Sequence, residues 1–100
     1  MKEVRLSLQA ETDLEAAFYF GMVRFGEAST EAYLADMEKT LDLLARFPFM
    51  APEFEQLPGS PRIHHHRRHS VIYVVREHHI WIARIVRDGT DIYEAIKKLD

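Results

Sequence analysis

Two stripes of apolar residues at helical spacing, separated by a single glycine, restrict the folds open to this 100-residue chain more than any other feature. Leu14, Ala17, Phe18, Gly21, Met22 and Phe25 recur at the interval of one helix face. Ala32, Tyr33, Met37, Leu41, Leu44 and Ala45 form a second stripe, which Pro48 ends. Gly26 stands between them as a left-handed C′ stop. A second helix opening at Glu27 or Ala28 leaves almost no linker, so the pair must fold back antiparallel. Thr12 and Glu15 read as a capping box for the first helix. Glu27 and Glu31 at the start of the second helix, and Arg46 at its end, suit the helix dipole.

On either side of this hairpin the period changes to two. Val4, Leu6 and Leu8 alternate with Arg5, Ser7 and Gln9, the mark of a half-buried strand. Pro48, Pro52, Pro58, Pro61 and Gly59 make 48–61 a connecting loop, expected to be pinned by Phe49, Met50, Phe54 and Leu57. Strands follow near 62–67, 69–76 and 80–87, with turns around Arg67-Arg68 and Glu77-His78-His79. Asp88-Gly89 breaks the last strand. Asp91 with Glu94 then caps a terminal helix carrying Ile92, Ala95, Ile96 and Leu99. The expected class is α+β, in the order β-α-α-β-β-β-α: an N-terminal helical hairpin on a small, mainly antiparallel sheet. One domain over 1–100 is expected, because neither side of the proline-rich loop could bury a core alone.

The last two strands are apolar on both sides. Strict alternation puts Ile80, Ile82, Arg84 and Val86 on one face of 80–87, and Trp81, Ala83, Ile85 and Arg87 on the other. Val71, Tyr73 and Val75 share one face of 70–76, and Ile72 and Val74 the other. A sheet wet on one side alternates with polar residues instead. The hairpin covers one face, and a two-turn helix is short cover for the other. Spare apolar sheet surface is therefore expected to serve a partner, unless the loop and terminal helix close that face completely. Full burial of Trp81 would make Trp81→Ala cost roughly 3–5 kcal/mol.

Composition excludes several classes. There is no cysteine, hence no disulfide, cysteine–zinc site or thiol nucleophile, and a reducing cytosol fits. No apolar run is long enough to span a membrane, and Met1-Lys2-Glu3-Val4-Arg5 predicts no signal peptide. Residues 1–61 hold five basic and eleven acidic side chains (−6), and residues 62–100 hold eight and five (+3). That balance does not favour a direct nucleic-acid binder. His64, His65 and His66 lack a completing carboxylate or cysteine, so no metal or other cofactor is expected and the block reads as a solvated edge strand. Phosphate-loop and serine-elbow motifs are missing. One set has the chemistry to cut RNA: Arg62, Arg84 and Arg87 to hold phosphate charge, with Tyr93 or a histidine to move a proton. The simpler reading pairs Arg84 with a hairpin acid or loop carbonyls and lets Tyr93 cap the core, leaving no catalytic residue.

Several motifs carry a family resemblance in their order and spacing. These are Asp13-Leu14, Arg24-Phe25-Gly26-Glu27-Ala28, Leu43-Leu44-Ala45-Arg46-Phe47-Pro48, Pro61-Arg62, Arg68-His69-Ser70-Val71-Ile72-Tyr73, Ile82-Ala83-Arg84-Ile85-Val86 and Asp91-Ile92. From Ala10 to Leu99 the chain resembles the toxins of the ParE/RelE superfamily of type II toxin–antitoxin systems, closer to the ParE branch. The resemblance implies a toxin that inhibits DNA gyrase by protein–protein binding and is neutralised by a cognate ParD-like, ribbon-helix-helix antitoxin. The alternatives are a RelE-like ribosome-dependent mRNA endonuclease using Arg62, Arg84, Arg87 and Tyr93, or an inactive relative acting only in its antitoxin complex. The expected partner-binding residues are Tyr33, Met37, Ile72, Val74, Trp81, Arg84, Arg87 and Tyr93. Long hairpin helices and an acidic balance favour the ParE reading. Arg67 stands where the ParE pattern often has glycine, and Arg87 where it has histidine.

Overall fold

Seven elements follow in the expected order: β1 (Glu3–Leu6), α1 (Leu8–Phe25), α2 (Glu27–Arg46), β2 (Arg62–His66), β3 (His69–Val75), β4 (His79–Arg87) and α3 (Ile92–Lys97). The structure, a computed structural model, describes residues 1–97, so Leu99 lies outside the described residues. The strands form one sheet in the order β1-β4-β3-β2. β1 runs parallel to β4, and the other pairs are antiparallel. No helix among the described residues is long and apolar enough to cross a membrane.

The first helix starts earlier than its capping-box reading implied. Ser7 is the N-cap, its hydroxyl accepting from the Ala10 amide at 2.9 Å and donating to the Ala83 carbonyl at 2.7 Å. A cap that also grips the sheet outcompetes one that satisfies only its own helix. Thr12 therefore lies inside α1, its hydroxyl donating to the Leu8 carbonyl, and Leu8 belongs to the helix rather than to β1. Gly26 does separate the helices, with φ 85° and ψ 173°. The φ needs glycine, while the extended ψ places it outside the left-handed basin of a C′ stop.

Gly21 sets how closely the helices approach. A Cβ built there would lie 2.7 Å from Thr30 Oγ1, and that hydroxyl is held at 2.7 Å by the Gly26 carbonyl. Gly21→Ala gains about 1 kcal/mol of helix propensity but forces overpacking worth about 1–3 kcal/mol. A net loss of roughly 1 kcal/mol is expected in urea denaturation. Thr30→Ser in the same background should recover part of it.

Both sheet faces are covered by the chain itself. On one, Val71, Tyr73, Ile80, Ile82 and Ile85 pack with Met37, Leu41, Leu44 and Ala45 of α2 and Ala10 of α1. On the other, Ile63, Ile72, Ala83 and Val86 pack with Ala95 and Ile96, flanked by Ile92, Phe54, Leu57 and Trp81. The spare apolar surface expected on the sheet is thus largely closed by the loop and α3, with Val74 and Trp81 only partly exposed. That exposure lowers the expected cost of Trp81→Ala to about 2 kcal/mol. Phe49 and Met50 do not pin the loop but face solvent. Tyr73 and Arg62 hold it instead, donating to the Pro48 and Ala51 carbonyls, each at 2.7 Å.

Strict alternation fails in β4 because of a bulge. Ile72 opposes Arg84 and Tyr73 opposes Ile82, leaving Ala83 as the extra residue. Past it the faces exchange, so Ile85 joins the core beneath the hairpin and Val86 the opposite one.

Candidate functional site: a groove between the helical hairpin and the sheet

The bulge fixes one wall of a groove. The Ile85 amide donates to Asp13 Oδ2 at 2.9 Å. Asp13 also takes both ends of the Arg84 guanidinium, Nε and Nη2 each at 2.8 Å, while Arg84 Nη1 donates to the Ala95 carbonyl at 2.9 Å. One arginine thus joins α1, β4 and α3, and its hydrogen bonds to Asp13 raise its pKa further. This is the hairpin-acid pairing that the sequence allowed for Arg84.

Beyond that joint α1 is little buried. Only Ala10 and Gly21 of its residues are enclosed, while Phe18 and Phe25 of the expected stripe are 42% and 49% exposed. The apolar surplus therefore lies along the hairpin. A cavity of about 660 Å³ opens there, between α1, α2 and the far ends of β3 and β4. Ala16, Ala17, Phe20, Gly21 and Phe25 line one side, Thr30, Tyr33 and Leu34 a second, and Arg67, Arg68, His69, Arg84, Ile85 and Arg87 the third. Its size and mixed lining suit a segment of another molecule.

The rim is basic and ordered. The Arg87 guanidinium lies 4.2 Å from the Phe20 ring centroid, and that of Arg68 4.9 Å from the Phe25 centroid. Arg67 Nε meets Asp36 Oδ2 at 3.1 Å. Arg67 has φ 55°, the left-handed turn conformation that glycine adopts without strain.

The histidine block lies on β2, an edge strand as expected, with His65 exposed and His64 and His66 half-buried, and its side chains have individual partners. His66 points at α2, with Nδ1 3.0 Å from Thr40 Oγ1 and Nε2 3.3 Å from Asp36 Oδ2. His65 Nδ1 lies 2.9 Å from Ser70 Oγ. His69 Nδ1 lies 2.6 Å from the Tyr33 hydroxyl. Burial, and then the charge of Arg87, hold the His69 pKa below its ordinary 6.5. Burial, followed by His66 and His65, lowers His64 similarly. Burial also raises the Tyr33 pKa. Unfolded histidine takes up a proton as pH falls through 6.5, whereas folded His69 resists it. Stability is then undiminished above that pH and declines below it. Melting temperature should fall between about pH 7.5 and about pH 5.5, and His69→Gln should flatten part of the fall.

The groove gathers some of the expected site residues and not others. Tyr33, Arg84 and Arg87 line it. Met37 and Ile72 are 2% and 0% exposed, enclosed by the chain's own core, and offer a partner no surface. Val74 and Trp81 are partly exposed, and Tyr93 is exposed on α3, all three away from the groove lining. The four candidate nuclease residues do not converge. Arg62 pairs with Tyr73 and Arg87 with His69, four positions apart on β3, or about 13 Å. Arg84 is engaged by Asp13. Phe20, Arg68 and Thr30 were not among the expected site residues. Phe20 falls beside the periodic stripe, and Arg68 read as a turn residue.

Comparison with known proteins agrees with this architecture. The family described as the ParE toxin of type II toxin–antitoxin systems, parDE, matches residues 4–92. The chain therefore belongs to the ParE toxin family. A solved structure of the chromosomal ParDE toxin–antitoxin system from P. aeruginosa has the same fold, with a TM-score of 0.74 and 22% identity over 87% of this chain and 96% of that one. No curated protein matches the sequence.

Proposed function

We propose that this ParE-family toxin acts in the cytoplasm by binding DNA gyrase, without catalysis, and is neutralised by a ParD-like antitoxin whose segment occupies the hairpin groove. The observation that carries the reading is the groove itself: an apolar floor along α1 and α2, open to solvent, under an arginine rim. A covering chain buries that floor at about 25 cal/mol per Å² of apolar surface. Arg62 and Tyr93 lie outside the groove that Arg84 and Arg87 line, which speaks against ribonuclease action.

Induction of the chain alone in bacteria tests this. Arrest with DNA damage and altered supercoiling is expected, and co-expression of the adjacent small reading frame should restore growth. Translation arrest with mRNA cleavage at ribosomes contradicts the gyrase reading, as does unimpaired growth.

A further inference from the structure

We infer that the occupant of the groove is an amphipathic peptide segment recognised through at least two carboxylates, one received by Arg68 and one by Arg87. This rests on the proposal that the groove holds the antitoxin, and adds the chemical rule by which the segment is chosen. Among the described residues Arg62, Arg67 and Arg84 each meet a carboxylate, whereas Arg68 and Arg87 meet none. Their guanidiniums instead lie over Phe25 and Phe20, rings whose centroids are 6.4 Å apart. Lying over a ring restrains each guanidinium without engaging its N–H donors, so less side-chain entropy is lost on binding than from a free arginine.

The backbone sets the two arginines side by side. Arg87 pairs with His69 across the sheet, and the Asp88 amide donates to the Arg68 carbonyl at 2.8 Å. Between them and the Asp13–Arg84 joint lies apolar floor. The lining residues of α1 run from Asp13 to Phe25, a length of roughly 18 Å. A segment with an apolar face and acidic flank fits that arrangement. Nucleic acid fits it less well. It offers no apolar face, and the acidic front half of the chain, at −6 over residues 1–61, repels a continuous phosphate backbone.

The test uses the full chain and the purified antitoxin from the adjacent reading frame. Dissociation constants are measured across a salt series for the wild type, Arg68→Gln, Arg87→Gln and the double variant, with melting temperatures as folding controls. Each single change should weaken binding about tenfold and reduce its salt dependence. Arg87→Lys should recover only part of the loss, since charge without the planar fork is retained. Unchanged affinity in the double variant overturns the carboxylate rule while leaving the groove reading intact. Absence of wild-type binding overturns both. A single-stranded oligoribonucleotide that binds the wild type and is lost in the double variant assigns the arginines to phosphate and overturns the peptide rule.

Discussion

Asp13→Ala is expected to destabilise the chain by about 3–5 kcal/mol, among the largest losses available to one side-chain truncation here. The carboxylate and its partner are mostly buried, with side chains 13% and 19% exposed. Removing the acid leaves the Arg84 charge without its bidentate partner. It also strands the Ile85 amide, which the β4 bulge releases toward Asp13. An orphaned buried donor alone costs about 1–3 kcal/mol. Arg84→Met should cost less, because Asp13 keeps the Ile85 amide. The double variant Asp13→Leu with Arg84→Met should recover part of the loss, since apolar replacement of both partners removes the uncompensated charge. Urea denaturation measures all three. A loss below about 1 kcal/mol for Asp13→Ala would mean that the pair does not hold α1 against β4.

Ala17→Trp should abolish antitoxin binding while leaving the fold in place. Ala17 lines the groove, and an indole there occupies volume the partner needs. Loss of a central anchor contact corresponds to at least about 3 kcal/mol, or more than a hundredfold in affinity. Fluorescence anisotropy with labelled antitoxin reads the affinity, and thermal denaturation reads the fold. Binding within about threefold of wild type would place the partner elsewhere. Phe20→Ala separates space from contact. It enlarges the groove and removes the ring beneath Arg87, so weaker binding rather than exclusion is expected.

Element order was legible in the chain because periodicity and breakers are local. Gly26 and Pro48 bracket α2, and the three C-terminal strands fall within a residue or so of their expected ends. What escaped depends on contacts distant in sequence. Ser7 outranks Thr12 as a cap because it reaches Ala83, 76 positions away. Strict alternation misassigned Val86 and Ile85 because nothing local announces a bulge at Ala83. The largest revision concerns where spare apolar surface lies. Counting lids against sheet faces pointed to Ile72, which Phe54, Leu57 and α3 enclose. The open surface belongs to α1, which read as an ordinary amphipathic helix. Half of its stripe faces a cavity, and only the placement of α1 against the end of β4 reveals that. Of the expected partner-binding residues, Tyr33, Arg84 and Arg87 line the groove, while Arg68 and Phe20 join the lining only through the fold.

Amide chemical-shift mapping of the ¹⁵N-labelled chain, titrated with its antitoxin, tests the central claim most directly. The perturbed amides should cluster at Ala16–Gly21, Ser29–Leu34, Arg67–His69 and Arg84–Arg87. Saturating antitoxin that leaves those amides unmoved, and shifts only the outer edges of β1 or β2 or the surface of α3, would contradict it.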